Sequence, residues 1–223
     1  MKKYDLVWAA ALAAVVAFLV FPATHAVFAA LSKTHPYLMA FVKFALLATM
    51  GELLAIRIVT GDWAKPVGTL WRALIWGLLG MVIALVFSLY AVGVADAMKK
   101  GLLPAFGEAG FAHSLAFAFF TSTLMNGLFA PTFMAFHRIT DTYIDLGKGT
   151  WAGMSRLSLG EVLDHIDWKG FVSFVVCRTI PLFWIPAHTI TFLLAPEYRV
   201  MMAAMLSIAL GGILAFAKKK AAR

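Results

Sequence analysis

Glu52, Asn126, Arg178 and His188 are polar side chains set in otherwise apolar stretches of this sequence. A charge surrounded by hydrocarbon is costly, so it pairs with another group, faces water, or marks a solute path. Glu52 is the only acid in the interior of any long apolar run. Arg178 is its expected partner, because the planar guanidinium fork can satisfy a carboxylate and the Asn126 amide together. A structural ion pair and a solute site are equally open readings of that pair. Lys43 lies nearer the end of its run, where it can snorkel outward towards Asp96. The segment from Arg178 to His188 also holds Pro181 and Pro186. Each removes a backbone donor, and the carbonyls so freed line solute sites in the broken helices of transporters. A plain kink packed on its neighbours is the alternative.

His137, Asp141 and Asp145 recur every four residues and share one helix face, a spacing that could hold a hard metal. They also fall where a helix would leave the membrane, so the expectation is a solvated face and no metal. The remaining histidines, His25, His35, His113, His165 and His188, form neither H-x-x-x-H nor H-E-x-x-H. No G-x-S-x-G, phosphate-binding glycine pattern or paired-aspartate motif occurs. Cys177 is the single cysteine, which excludes an intrachain disulfide and a cysteine-based metal site. The expectation is therefore no enzyme, no catalytic residue and no cofactor.

The elements that must carry these residues are membrane helices. The chain is 62% hydrophobic and 13% charged, with mean hydropathy +0.87. Soluble domains average about 45–50% apolar and about 25% charged residues. The expected architecture is all-α: one integral membrane domain over 1–223, a bundle of six transmembrane helices near 6–31, 37–58, 70–95, 111–136, 170–195 and 198–217. Each run reaches the ~20 residues that cross the hydrocarbon core. The first run resembles a signal peptide after Met1-Lys2-Lys3, but it exceeds the ~7–15 residues of a signal core and is read as a retained span. Six crossings put thirteen Lys and Arg residues on one side and four on the other; a fifth segment that fails to cross reduces the bias to nine against eight. Positive loops stay cytoplasmic, so both termini are expected there, in a bacterial inner membrane. The net charge of +8 then reflects loops and headgroups, not nucleic acid. Between the fourth and fifth spans, Ser158 and Glu161 have capping-box spacing, followed by Leu159, Val162, Leu163 and Ile166 on one face. That predicts an amphipathic helix over 158–168, lying on the interface with Trp168 as anchor or packed on another loop. Gly77, Gly80, Gly211 and Gly212 are expected helix-packing positions.

From His35 to the C-terminus the order of features resembles the family of small mitochondrial and peroxisomal membrane proteins named after Mpv-seventeen and the twenty-two-kilodalton peroxisomal membrane protein. His35-Pro36 stands at its H-P, and Gly51-Glu52 at its G-D, with Ile56 where glutamine is usual. Arg72 and Gly80 fit the start of its next helix. Met125, Asn126 and Pro131 stand in its D-Q-x-x-x-x-P, Trp184 and Pro186 at its W-P, and His188, Thr191 and Phe192 at its Q-x-x-N-F. Pro196, Tyr198 and Arg199 match its P and Y-R. The family's G-P-x-x-H-x-W-Y is missing here, with Tyr90 and Asp96 nearby, so the resemblance is to a divergent, bacterial-type member. It implies a channel or transporter for small polar or anionic metabolites, with Glu52, Asn126, Arg178 and His188 near the path. A non-catalytic membrane scaffold or assembly factor is the alternative. The expected partners are the lipid bilayer and a small-molecule solute, with no nucleic acid and homo-oligomerisation open.

Overall fold

The structure, a computed structural model, describes residues 3–221. Lys2 and Arg223, counted among the basic residues of the termini, lie outside them. The described residues are almost entirely helical, and no strand occurs among them. Prolines punctuate the chain. Pro22, Pro36 and Pro196 open α2 (Pro22–Thr34), α3 (Pro36–Thr60) and α11 (Pro196–Ala221). At a first turn the missing N–H costs nothing, and the fixed φ suits the helix. The expected first span is therefore two helices, α1 (Lys3–Val20) and α2, separated at Phe21. The third expected span is the single helix α4 (Thr69–Lys99).

Two segments widen into π-helix. The fourth expected span runs as α5 (Phe111–Leu124), a π-helical stretch (Met125–Phe129) and α6 (Ala130–Leu146). The fifth begins with a π-helical stretch (Phe171–Trp184) that contains Pro181 and continues as α10 (Ile185–Leu193). Five helices among the described residues are long and apolar enough to cross a membrane: Lys3–Val20, Pro36–Thr60, Thr69–Lys99, Trp168–Leu193 and Pro196–Phe216. The expected fourth span is not one of them. Large apolar side chains cover the outside, with Leu70 86%, Leu182 78% and Phe111 74% exposed, a surface compatible with hydrocarbon contact.

Helix α3 is central, packed along α4 on one side and α11 on the other. Gly80 of α4 meets Ala40 and Phe44 of α3, while Gly51 of α3 meets Ser207 and Ile208 of α11. Phe44, Leu47, Phe87, Met125, Phe192 and Ala204 belong to the shared core. α1 is tied on by Arg57, which pairs with Asp5 at 2.7 Å, and by Trp8, whose indole donates to the Met50 carbonyl. Between α6 and the second π stretch lie three short helices, α7 (Trp151–Met154), α8 (Leu159–Asp164) and α9 (Trp168–Gly170). The capping box forms: Ser158 N–H donates to Glu161 Oε2 at 2.7 Å and Glu161 N–H to Ser158 Oγ at 3.2 Å. The helix is shorter than the expected 158–168. Its apolar face docks against α6, with Val162 fully buried and Ile166 nearly so, which favours packing on the protein body over a free interfacial helix.

A Cβ at Gly80 would stand 2.7 Å from both the Ala40 carbonyl oxygen and the Phe44 Cβ, whereas one at Gly93 of the same helix meets nothing within 4 Å. Gly80→Ala is therefore expected to destabilise the protein by ~1–3 kcal/mol through overpacking. Gly93→Ala should be neutral or slightly stabilising, since alanine is the better helix former. Thermal unfolding of the two variants in detergent checks the contrast.

Candidate functional site

A cavity of about 260 Å³ runs between α3, α4, the first π stretch, α6, α10 and α11. Its wall is mostly apolar, from Ala48, Ile83, Phe87, Phe129, Met134 and Leu210 among others. Glu52, Trp76, Asn126, His137, Trp184, His188 and Ser207 supply the polar atoms. Three of the four expected path residues, Glu52, Asn126 and His188, are thus brought to one cavity. Arg178 does not line it.

One polar centre joins the two π-distorted segments. Asn126 is 1% and His188 8% exposed. The Asn126 amide lies 3.1 Å from His188 Nδ1 through Nδ2, and 3.3 Å from it through Oδ1; which atom donates follows the imidazole tautomer. Asn126 Nδ2 also donates to the Ser122 carbonyl at 2.8 Å, and Ser122 Oγ donates to the Ile185 carbonyl at 2.7 Å. Trp184 stacks on the His188 ring, with centroids 5.1 Å apart, while its indole Nε1 is buried without a hydrogen-bond partner among the described residues. The prolines explain why these residues converge. Pro131 and Pro186 sit in the first turns of α6 and α10, each directly after a π stretch, where a missing N–H breaks the regular ladder. A π stretch rotates the residues beyond it relative to an α-helix, and such insertions recur at functional sites.

The second centre lies around Glu52. Its Oε1 accepts from Trp76 Nε1 at 2.9 Å, and its Oε2 is buried with no hydrogen-bond partner among the described residues. Trp76 meets the His137 ring edge-on, with centroids 4.1 Å apart. His137 Nδ1 is also buried without a hydrogen bond and lies 3.6 Å from Asp141 Oδ1. Arg72 pairs with Asp141 at 2.9 Å and with Asp145 at 2.6 Å, while its Nε donates to the Val67 carbonyl at 3.0 Å.

Three expectations are corrected here. The Glu52–Arg178 pair does not form: Arg178 is exposed, and the guanidinium at this centre belongs to Arg72. The π-helical stretch turns residue 178 away from the bundle interior. Lys43 does not reach Asp96; it is buried, donates to Ser32 Oγ at 2.8 Å and stands 4.4 Å over the Phe28 ring. Asp96 pairs with Lys100 instead. The His137–Asp141–Asp145 face is not uniformly solvated, since His137 is buried and Asp141 turns towards Arg72. Sequence reasoning put Arg72 at the start of a helix without a partner and passed over Trp76. Their four-residue spacing at the start of α4 is the signal that puts both on one face.

Comparisons with protein-family models, with curated proteins and with solved structures find no match. The residues themselves carry the functional argument.

Asn126→Leu removes the hydrogen bonds to Ser122 and His188 and strands His188 in an apolar wall. It is expected to lower stability by ~2–4 kcal/mol, as a buried polar group left without a partner costs ~1–3 kcal/mol beyond the bond lost. Ser122→Ala should cost less, about 1 kcal/mol. Thermal unfolding in a single detergent ranks the two.

Proposed function

We propose that this chain is a channel or transporter for small solutes, integral to a cell membrane, and that the cavity between α3, α4, α6, α10 and α11 is its solute path. The observation that carries the reading is the cavity itself, with Glu52, Asn126 and His188 on one continuous surface inside an apolar helical body. In this reading α5 and α6 supply the sixth crossing, with the π stretch between them tolerated because it lines a cavity. Both termini are cytoplasmic, as the Lys and Arg distribution favours, and the membrane is a bacterial inner membrane. The resemblance of His35-Pro36, Gly51-Glu52, the stretch from Asn126 to Pro131 and the stretch from Trp184 to Phe192 to the Mpv-seventeen family supports the same class.

The wall narrows the solute. No Lys or Arg lines the cavity among the described residues, and Glu52 presents a carboxylate to it. A small neutral polar or cationic solute fits better than an anion, which would meet Glu52 without a compensating charge. Aromatic faces at Trp76, Phe87 and Trp184 add attraction for a cation.

A scaffold or assembly role is the second reading, favoured by Arg178. It is exposed within the membrane-length segment Trp168–Leu193, where another protein would satisfy it.

Reconstitution in liposomes tests the transport reading. Flux of a small cation, a neutral polyol and a small carboxylate is measured for the unmodified chain, Glu52→Gln and His188→Phe. The cation and the polyol should pass faster than the carboxylate. Glu52→Gln should cut cation flux at least about tenfold, equivalent to ~1.4 kcal/mol, with the thermal midpoint unchanged. Fluxes equal to protein-free liposomes, or unaltered by both replacements, would rule the path out and leave the scaffold reading.

A further inference from the structure

The centre around Glu52 has more coordinating capacity than its neighbours use. Glu52, His137 and Asp141 come from α3 and α6, and each offers a ligand atom within 4.8 Å of those of the other two. Two ligands on one ion at ~2.1 Å can be no more than ~4.2 Å apart, so small side-chain rotations would close this group around a metal.

The second observation is independent of that spacing. His137 is only 8% exposed, yet its Nδ1 has no hydrogen-bond partner among the described residues, and Glu52 Oε2 is buried in the same condition. Buried polar atoms are nearly always satisfied in native proteins, and two such atoms at one place call for a shared partner. A shared proton could join these two atoms in a hydrogen bond, but none forms between them; a metal ion would accept lone pairs from both and from Asp141 as well.

We propose that Glu52, His137 and Asp141 form a binding site for a divalent first-row transition metal ion, at the end of the cavity nearest Arg72. One imidazole nitrogen and two carboxylate oxygens are a borderline donor set, suited to zinc, manganese(II) or iron(II). Three protein ligands leave further coordination positions facing the cavity. Arg72 holds Asp141 through Oδ1, the oxygen that also faces His137, and Trp76 holds Glu52 through Oε1, so both carboxylates are oriented before any ion arrives. The positive charges of Arg72 and Arg138 on the Asp141 side oppose a cation, while Glu52, Asp141 and Asp145 outnumber them.

Metal binding stands apart from solute passage and is measured without it. The full chain, purified in detergent and stripped with a chelator, is dialysed against micromolar zinc, and bound metal is counted per chain. Cobalt(II) substitution adds a visible spectrum that reports nitrogen and oxygen ligation, and Trp76 fluorescence should be quenched as cobalt binds. One equivalent of zinc is expected. Glu52→Gln and Asp141→Asn, which keep side-chain size, should each weaken binding at least ~10-fold, the scale set by perturbing metal-site ligation. His137→Ala should abolish the cobalt spectrum. His165→Ala, at an exposed histidine outside the group, should change neither. Should His137→Ala fail to fold, the two carboxylate variants give the same readout. Absence of stoichiometric binding, or binding undiminished in Glu52→Gln and Asp141→Asn, would overturn the proposal. So would a loss in His165→Ala equal to that in the carboxylate variants.

Discussion

Helix α3 meets both α4 and α11 at backbone distance, and glycine is what permits it. A Cβ on Gly51 would lie 3.2 Å from the Ser207 carbonyl oxygen, and one on Gly80 2.7 Å from the Ala40 carbonyl oxygen. Small residues there allow close van der Waals contact between the helices, the kind of contact that carries association where the surroundings are themselves apolar. The position of the polar side chains follows. Glu52 is next to Gly51, so it is carried to the margin of the α3–α11 contact. Trp76 lies one turn before Gly80, so its indole reaches Glu52 from α4. Arg72, one turn earlier, then faces α6 and fixes where Asp141 and Asp145 must stand. One close contact sets the register for the whole second centre.

The first centre depends on the opposite device, an irregular backbone. Pro131 and Pro186 each remove a donor at the exit of a π stretch, and the two distorted segments lie against each other. Backbone groups in such places must be satisfied from inside the protein. Ser122 does this for the Ile185 carbonyl, which also accepts from Thr189, and Asn126 does it for the Ser122 carbonyl. The amide of Asn126 then meets His188. The polar core is thus built largely from groups that repair the helices.

Much of the helical layout was legible because it rests on periodicity and on breakers. The apolar runs, the Ser158–Glu161 capping box and the disturbance around Pro181 and Pro186 are local, and local chemistry decides them. The break at Phe21 was equally available from Pro22 and was overridden by run length. Glu52, Asn126 and His188 could be grouped because each is a polar side chain inside an apolar run. Which way each faces around its helix is not written in the run. The guanidinium fork made Arg178 a partner for Glu52, and a π-helix, which takes more residues per turn than an α-helix, carries residue 178 to the outside. Arg72 was hidden for the converse reason. A basic residue at a helix start is ordinarily a surface charge, and only the packing of α6 against α4 turns it inward.

The two centres differ in how their charge is balanced, and the difference gives the cavity a direction. The Asn126–His188 end is made of neutral groups joined by hydrogen bonds. At the other end Asp141 and Asp145 share one guanidinium, whereas Glu52 has only an indole donor on one oxygen. An indole hydrogen bond orients a carboxylate without cancelling its charge. Apolar walls reduce screening between the ends, so that charge acts on whatever occupies the space between them. A cation is drawn towards the Glu52 end and an anion repelled from it, while a neutral polar molecule feels chiefly the hydrogen-bonding groups at Asn126 and His188. Arg72 is paired with Asp141 and Asp145 and does not line the cavity, so it steadies the acidic end without reversing its sign.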